Sequence, residues 1–154
     1  MKRLHVNLTV ADLAQSIRFY STLFETAPTV LEADYAKWML DDPRVNFAIS
    51  TRGATAGFDH LGIQVDSPEE LEEIAARLAS AGEQVLDRGE AHCCYAHSTK
   101  AWVRDPQGLP WETFFTTGRE TTYGEHVPLG LTGAVPAESS CCDAKTSCCA
   151  GEAP

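Results

Sequence analysis

The chain is written twice. Residues 4 to 10 read Leu-His-Val-Asn-Leu-Thr-Val and residues 59 to 65 read Asp-His-Leu-Gly-Ile-Gln-Val, and both alternate with a period of two, the mark of a half-buried strand. Val6, Leu8 and Val10 share one face of the first strand, and Leu61, Ile63 and Val65 share one face of the second. The opposite faces carry His5, Asn7 and Thr9, and His60, Gly62 and Gln64. The two histidines therefore fall in register, one at the head of each polar face.

A helix is expected after each strand. In the first copy Asp12 with Gln15 three residues on is a capping-box pattern, and Leu13, Ile17, Tyr20 and Phe24 recur at helical spacing. In the second, Ser67-Pro68-Glu69-Glu70 supplies a cap, a first-turn proline and acidic residues that suit the positive end of the helix. Leu71, Ile74, Ala75 and Leu78 form its apolar stripe, and Ala81-Gly82 ends it. Three short strands should follow each helix, at about 28–33, 35–40 and 45–50, then at about 83–88, 92–96 with 99–104, and 111–117. Trp38 before Asp42-Pro43 echoes Trp102 before Asp105-Pro106. The unit is thus βαβββ and the fold class α+β. Module one spans 1–52, module two 58–117, and Gly53-Ala54-Thr55-Ala56-Gly57 links them. Residues 118–154 lose the pattern and, rich in small and polar residues, are expected to form a flexible tail.

With 154 residues the chain is long enough for one good-sized core or two small packed modules. No apolar run approaches the length of a membrane span, and the start lacks a secretory pattern, so a cytoplasmic protein with reduced thiols is expected. A net charge of −10 argues against a nucleic-acid binder, which needs a basic surface for phosphate. All six cysteines occur as adjacent pairs: Cys93-Cys94, Cys141-Cys142 and Cys148-Cys149. Structural zinc sites usually space their thiols by two or more residues, and a disulfide between neighbours is strained. Adjacent thiolates suit a soft, thiophilic atom such as trivalent arsenic, cadmium, mercury or Cu(I).

If the modules pack about a pseudo-twofold axis, their polar faces line one cleft and His5 meets His60. Glu112, at the start of the last strand and just past the Asp105-Pro106-Gln107-Gly108 turn, is the expected third ligand. Two imidazoles and a carboxylate form a facial set that leaves positions open on Fe(II) or Mn(II). The first-module counterpart of Glu112 is expected near Asn46, a poor ligand. His92, His97 and His126 have no such relation. Tyr95, Trp102 and Tyr35 are candidate cleft walls.

Two βαβββ units, histidines heading strands one and five, and Asp-Pro-Xaa-Gly before a strand-borne glutamate resemble the vicinal oxygen chelate superfamily of glyoxalases, extradiol dioxygenases, fosfomycin-resistance transferases and bleomycin-binding proteins. Over residues 1 to about 117, Cys93-Cys94-Tyr95-Ala96, Lys100-Ala101-Trp102-Val103 and Trp111-Glu112 resemble the carbon–arsenic lyases and their cadmium-induced relatives. That resemblance implies an Fe(II)-dependent dioxygenase, with O2 as co-substrate, that cleaves the carbon–arsenic bond of trivalent organoarsenicals. His5, His60 and Glu112 would hold iron, and Cys93 and Cys94 would hold arsenic, with Tyr95 beside the substrate. Some members carry Gln at the position of His5. Two alternatives stay open: a non-catalytic cadmium- or arsenite-binding resistance protein, and a fosfomycin-type thiol transferase. So does the choice between a cleft within one chain and modules exchanged across a homodimer.

Overall fold

The computed structural model describes residues 1–93 and 96–119, with 87–93, 96, 97 and 119 described by backbone alone. Two copies of one unit follow each other. The first is β1 (Arg3–Thr9), α1 (Leu13–Leu23), β2 (Val30–Glu32), β3 (Tyr35–Asp41) and β4 (Arg44–Ser50). The second is β5 (Gly57–Val65), α2 (Pro68–Ser80), β6 (Leu86–Cys93), β7 (Ala96–Arg104) and β8 (Pro110–Arg119). The expected βαβββ repeat is therefore present. The strand expected at 92–96 with 99–104 divides differently: residues 92 and 93 end β6, and β7 begins at Ala96.

Both helices start as their caps dictate. The Asp12 carboxylate accepts from the Gln15 backbone N–H at 2.8 Å, and Ser67 Oγ accepts from the Glu70 N–H at 3.3 Å. Gly82 ends α2 at φ +88°, a conformation that a side chain disfavours.

The strands form one eight-stranded sheet in the order β2-β3-β4-β1-β5-β8-β7-β6. The order is symmetric about its middle. In each unit the first strand lies parallel to the last, β1 with β4 and β5 with β8, and β1 and β5 join the halves as an antiparallel seam. Alternation then sorts the side chains. The apolar face of module one meets α1: Ala36, Trp38, Phe47 and Ile49 are buried against Ile17, Tyr20 and Phe24. Trp38 is fully buried, stands 5.9 Å from the Phe24 ring, and donates its indole N–H to the Thr26 carbonyl at 3.1 Å. In module two Val65, Leu71, Ile74 and Ala101 make the matching core under α2. Of these, each Val, Leu, Ile or Phe side chain contributes about 1.5–3 kcal/mol when fully buried. With the apolar faces committed to the helices, the polar faces of both halves are left for the cleft.

Candidate metal centre

His5, His60 and Glu112 stand on β1, β5 and β8, three neighbouring strands. The ladders align His5 with Gly62 and Gly62 with Glu112, so these three positions form a row across the sheet. His60, two residues before Gly62, projects on the same side. Gly62 is required: a Cβ there would lie 2.4 Å from the Glu112 carbonyl oxygen and would force β8 away. Glu112 is delivered by the turn foreseen in the sequence. Asp105 Oδ1 accepts from the Gln107 and Leu109 N–H groups at 2.9 Å each, and Gly108 adopts φ +83°.

The donor atoms converge. His5 Nε2 lies 3.2 Å from His60 Nε2, and Glu112 Oε2 lies 3.5 Å from His60 Nε2 and 3.8 Å from His5 Nε2. All three residues are buried. Second bonds aim the rings. His5 Nδ1 donates to the Asn46 carbonyl at 3.0 Å, which leaves its Nε2 lone pair facing inward. His60 Nδ1 donates to Asp59 Oδ1 at 2.6 Å. Lys100 holds the other oxygen of Glu112, with Nζ 2.5 Å from Oε1. The two carboxylate oxygens are thereby divided, Oε1 to the ammonium and Oε2 to the imidazoles.

The charges follow from these neighbours. Burial holds the His5 imidazole down at about 4, against the pull of Glu112. Burial also opposes charge on His60, but hydrogen bonds with Asp59 and Glu112 outweigh it and lift the group to about 9. For Glu112, burial favours the neutral acid; the Lys100 ammonium and the His60 imidazolium overturn that and hold the carboxyl well below its usual range. Metal-free, the cluster is thus a neutral imidazole, an imidazolium and a carboxylate. It fits a divalent cation. Two nitrogens and one oxygen form a triangle with edges of 3.2–3.8 Å, and ligands bound at about 2.1 Å require edges of about 3.0–3.4 Å in octahedral or tetrahedral geometry. The cation would take the place of the His60 proton.

Lys100 and Asp59 did not stand out in the sequence as site residues. A lysine in a strand reads as solvent-facing, and only its parity with Trp102, two residues on, could have placed it in the cleft. Trp102 does wall the site, edge-on to His60 at 5.1 Å between centroids. Trp38 is not its structural counterpart, because it points to the helix side. The partner of Glu112 is also corrected. Glu112 pairs with Gly62, two residues after His60, and the residue paired with Asn7, two after His5, is Ala48 rather than Asn46.

The cleft is lined by Tyr35, Lys37, Asn7, Asn46, Ser98 and Thr116 together with His5, Lys100 and Glu112. Cys93 closes β6, where its backbone pairs with Ala96. Cys94, Tyr95, His126, Cys141, Cys142, Cys148 and Cys149 lie outside the described residues, as do the side chains of Cys93, His92 and His97. No helix among the described residues is long and apolar enough to cross a membrane.

Known proteins share this plan. The sequence profile of the Glyoxalase/Bleomycin resistance protein/Dioxygenase superfamily matches residues 2–113. The chain is 37% identical over 150 residues to the trivalent organoarsenical cleaving enzyme of Bacillus sp. (strain MD1), covering 96% of this chain and 93% of that one. It is 32% identical over 148 residues to the cadmium-induced protein CadI of Mycobacterium bovis, covering 96% and 97%. Its fold superimposes on an extradiol ring-cleaving dioxygenase from B. fuscum with a TM-score of 0.58 at 22% identity, over 76% of this chain and 33% of the dioxygenase.

Proposed function

The chain belongs to the Glyoxalase/Bleomycin resistance protein/Dioxygenase superfamily, and from that footing we propose that it is an Fe(II)-dependent dioxygenase that cleaves the carbon–arsenic bond of trivalent organoarsenicals. The observation that carries this reading is the convergence of His5, His60 and Glu112 on one point in a buried cleft. The relative named a trivalent organoarsenical cleaving enzyme, alike over nearly the whole length of both chains, supports the substrate class.

In this reading His5, His60 and Glu112 hold the iron, and bound iron supplies the activation of O2. The remaining work belongs to the chain. Asp59 and the Asn46 carbonyl keep both Nε2 lone pairs turned inward. Lys100 occupies Glu112 Oε1, so the carboxylate donates through a single oxygen and coordination positions stay open. The thiols of Cys93 and Cys94 replace the two hydroxyls of an arsonous acid, their protons leaving with the hydroxyls as two waters, which accounts for a pair of sulfurs rather than three. Holding arsenic beside the metal converts an encounter into a local event. For methylarsonous acid the balance is substrate plus O2 to formaldehyde plus arsenite: the carbon is oxidised and oxygen reduced. The thiols must stay reduced, which suits the cytoplasm. We assign this chemistry to residues 1–117.

The test is reconstitution with Fe(II), addition of methylarsonous acid and O2, and measurement of arsenite and formaldehyde. Cys93→Ser and Cys94→Ser should each abolish turnover while iron binding is retained; unchanged turnover in either variant removes the thiols from the chemistry. A second reading, a non-catalytic cadmium- or arsenite-binding protein, is favoured by the likeness to the cadmium-induced protein. It predicts tight Cd(II) binding without O2 uptake.

A further inference from the structure

Two buried oxygens in the cleft have work left to do. Asn7 Oδ1 and Asn46 Oδ1 have no hydrogen-bond partner among the described residues, and both side chains are 3% exposed. Buried polar atoms in folded proteins are nearly always paired, so two orphans in one cleft point to a ligand. Both lie in the module-one half, on the same walls as His5. Asn7 follows His5 by two residues on β1, and Asn46 stands opposite His5 on β4. The Asn46 side chain is oriented by its own bond, since Nδ2 donates to Gln64 Oε1 at 2.9 Å, and the residue lines the cleft.

An amide oxygen can only accept. Its missing partner must therefore donate an O–H or N–H. The same lining holds Lys37 and Tyr35, and Ala48 puts a methyl where module two has Glu112. We propose that Asn7 and Asn46 form a specificity subsite that reads a hydroxyl or amino group on the organic substituent of the substrate, so that hydroxy- or amino-aryl arsenicals are preferred to unsubstituted ones. The identity of the arsenic end rests on the function proposed above; the subsite rests on the two oxygens alone.

The test measures binding by tryptophan fluorescence under anaerobic conditions, using full-length protein. The probes are phenylarsonous acid, its ortho, meta and para hydroxy and amino derivatives, and the arsenic-free pair phenol and toluene. At least one hydroxy or amino isomer should bind about tenfold more tightly than phenylarsonous acid, as one well-made hydrogen bond predicts. Asn7→Leu and Asn46→Leu should each cut that preference to less than about threefold while leaving the affinity for phenylarsonous acid in place. Asn46→Asp, which keeps an acceptor, should retain the preference, and Co(II) uptake reports that every variant is folded. Equal affinities in the wild type would mean that only solvent meets these oxygens, and would overturn the subsite. So would a preference that survives both leucine variants. If no arsenical binds but phenol outcompetes toluene in an Asn-dependent way, the arsenical reading fails and the subsite stands. If all arsenicals bind alike, the reverse holds.

Discussion

The two modules share a backbone plan but divide the chemistry between them. Module two brings to the cleft an imidazole, a carboxylate, an ammonium and an indole, in His60, Glu112, Lys100 and Trp102. Module one brings one imidazole, His5, and one ammonium, Lys37, with the neutral groups Asn7, Asn46, Tyr35 and Ala48. Repetition fixes where strands run, while single side chains on the cleft face decide what each half does. A symmetric pair of halves would offer four donors and a closed site. Alanine at position 48 in place of a carboxylate leaves three donors and an open one.

Changing that asymmetry gives the largest expected effects. Glu112→Ala removes the only carboxylate among the described residues that faces both imidazoles, and takes from the buried Lys100 cation its Glu112 partner. Loss of stoichiometric Co(II) uptake is expected, with destabilisation of about 3–5 kcal/mol in chemical denaturation. The converse change, Ala48→Asp, gives module one the donor it lacks. Metal affinity should rise by about tenfold, equivalent to 1.4 kcal/mol, while turnover falls because the open position is taken. An Ala48→Asp protein with unaltered affinity and full turnover would break the comparison.

The two tryptophans sharpen it. Trp38 is fully buried under α1, so Trp38→Ala should cost about 3–5 kcal/mol in thermal or urea unfolding. Trp102 is only partly buried and stands edge-on to His60. Its replacement by alanine should cost less stability and act mainly on metal affinity, read by calorimetric titration.

The last effect is on pH. His60, with Asp59 and Glu112 against it and His5 and Lys100 nearby, is raised to about 9 and so is protonated at neutrality. A metal must displace that proton, so apparent affinity should climb about tenfold per pH unit up to about 9 and level off above it. His5, at about 4, adds no slope in this range. Stability of the metal-free protein runs the other way. A raised folded-state value contributes stability that is complete below 6.5 and is lost as pH rises through about 9. Asp59→Asn should flatten both curves.

Much of this was legible in the sequence. Period-2 alternation marked β1 and β5, two caps marked the helix starts, and the register of His5 with His60 placed two donors together. Glu112 could be found because an Asp-Pro-Xaa-Gly turn announces where its strand begins. What misled was the turn itself. The β3–β4 connection is Asp42-Pro43 alone, whereas β7–β8 takes Asp105 to Leu109. Counting back from Asp-Pro therefore aligns Trp38 with Trp102 while their strands are one residue out of step, and one residue reverses the face. Asn46 in place of Ala48 is a separate slip of two residues, which keeps the face. Lys100 was hidden for another reason: its role exists only through Glu112 on the neighbouring strand, and composition carries no trace of that pairing.

The seam between β1 and β5 has one more consequence. Its two strands carry one imidazole each, so an ion gripped by both is a rivet through the joint of the molecule. Heat or denaturant that parts the halves must first pull the rivet, and an empty joint opens more easily than a filled one. With an ion bound there, occupancy and architecture would be a single equilibrium, and the scaffold would tighten as the site fills.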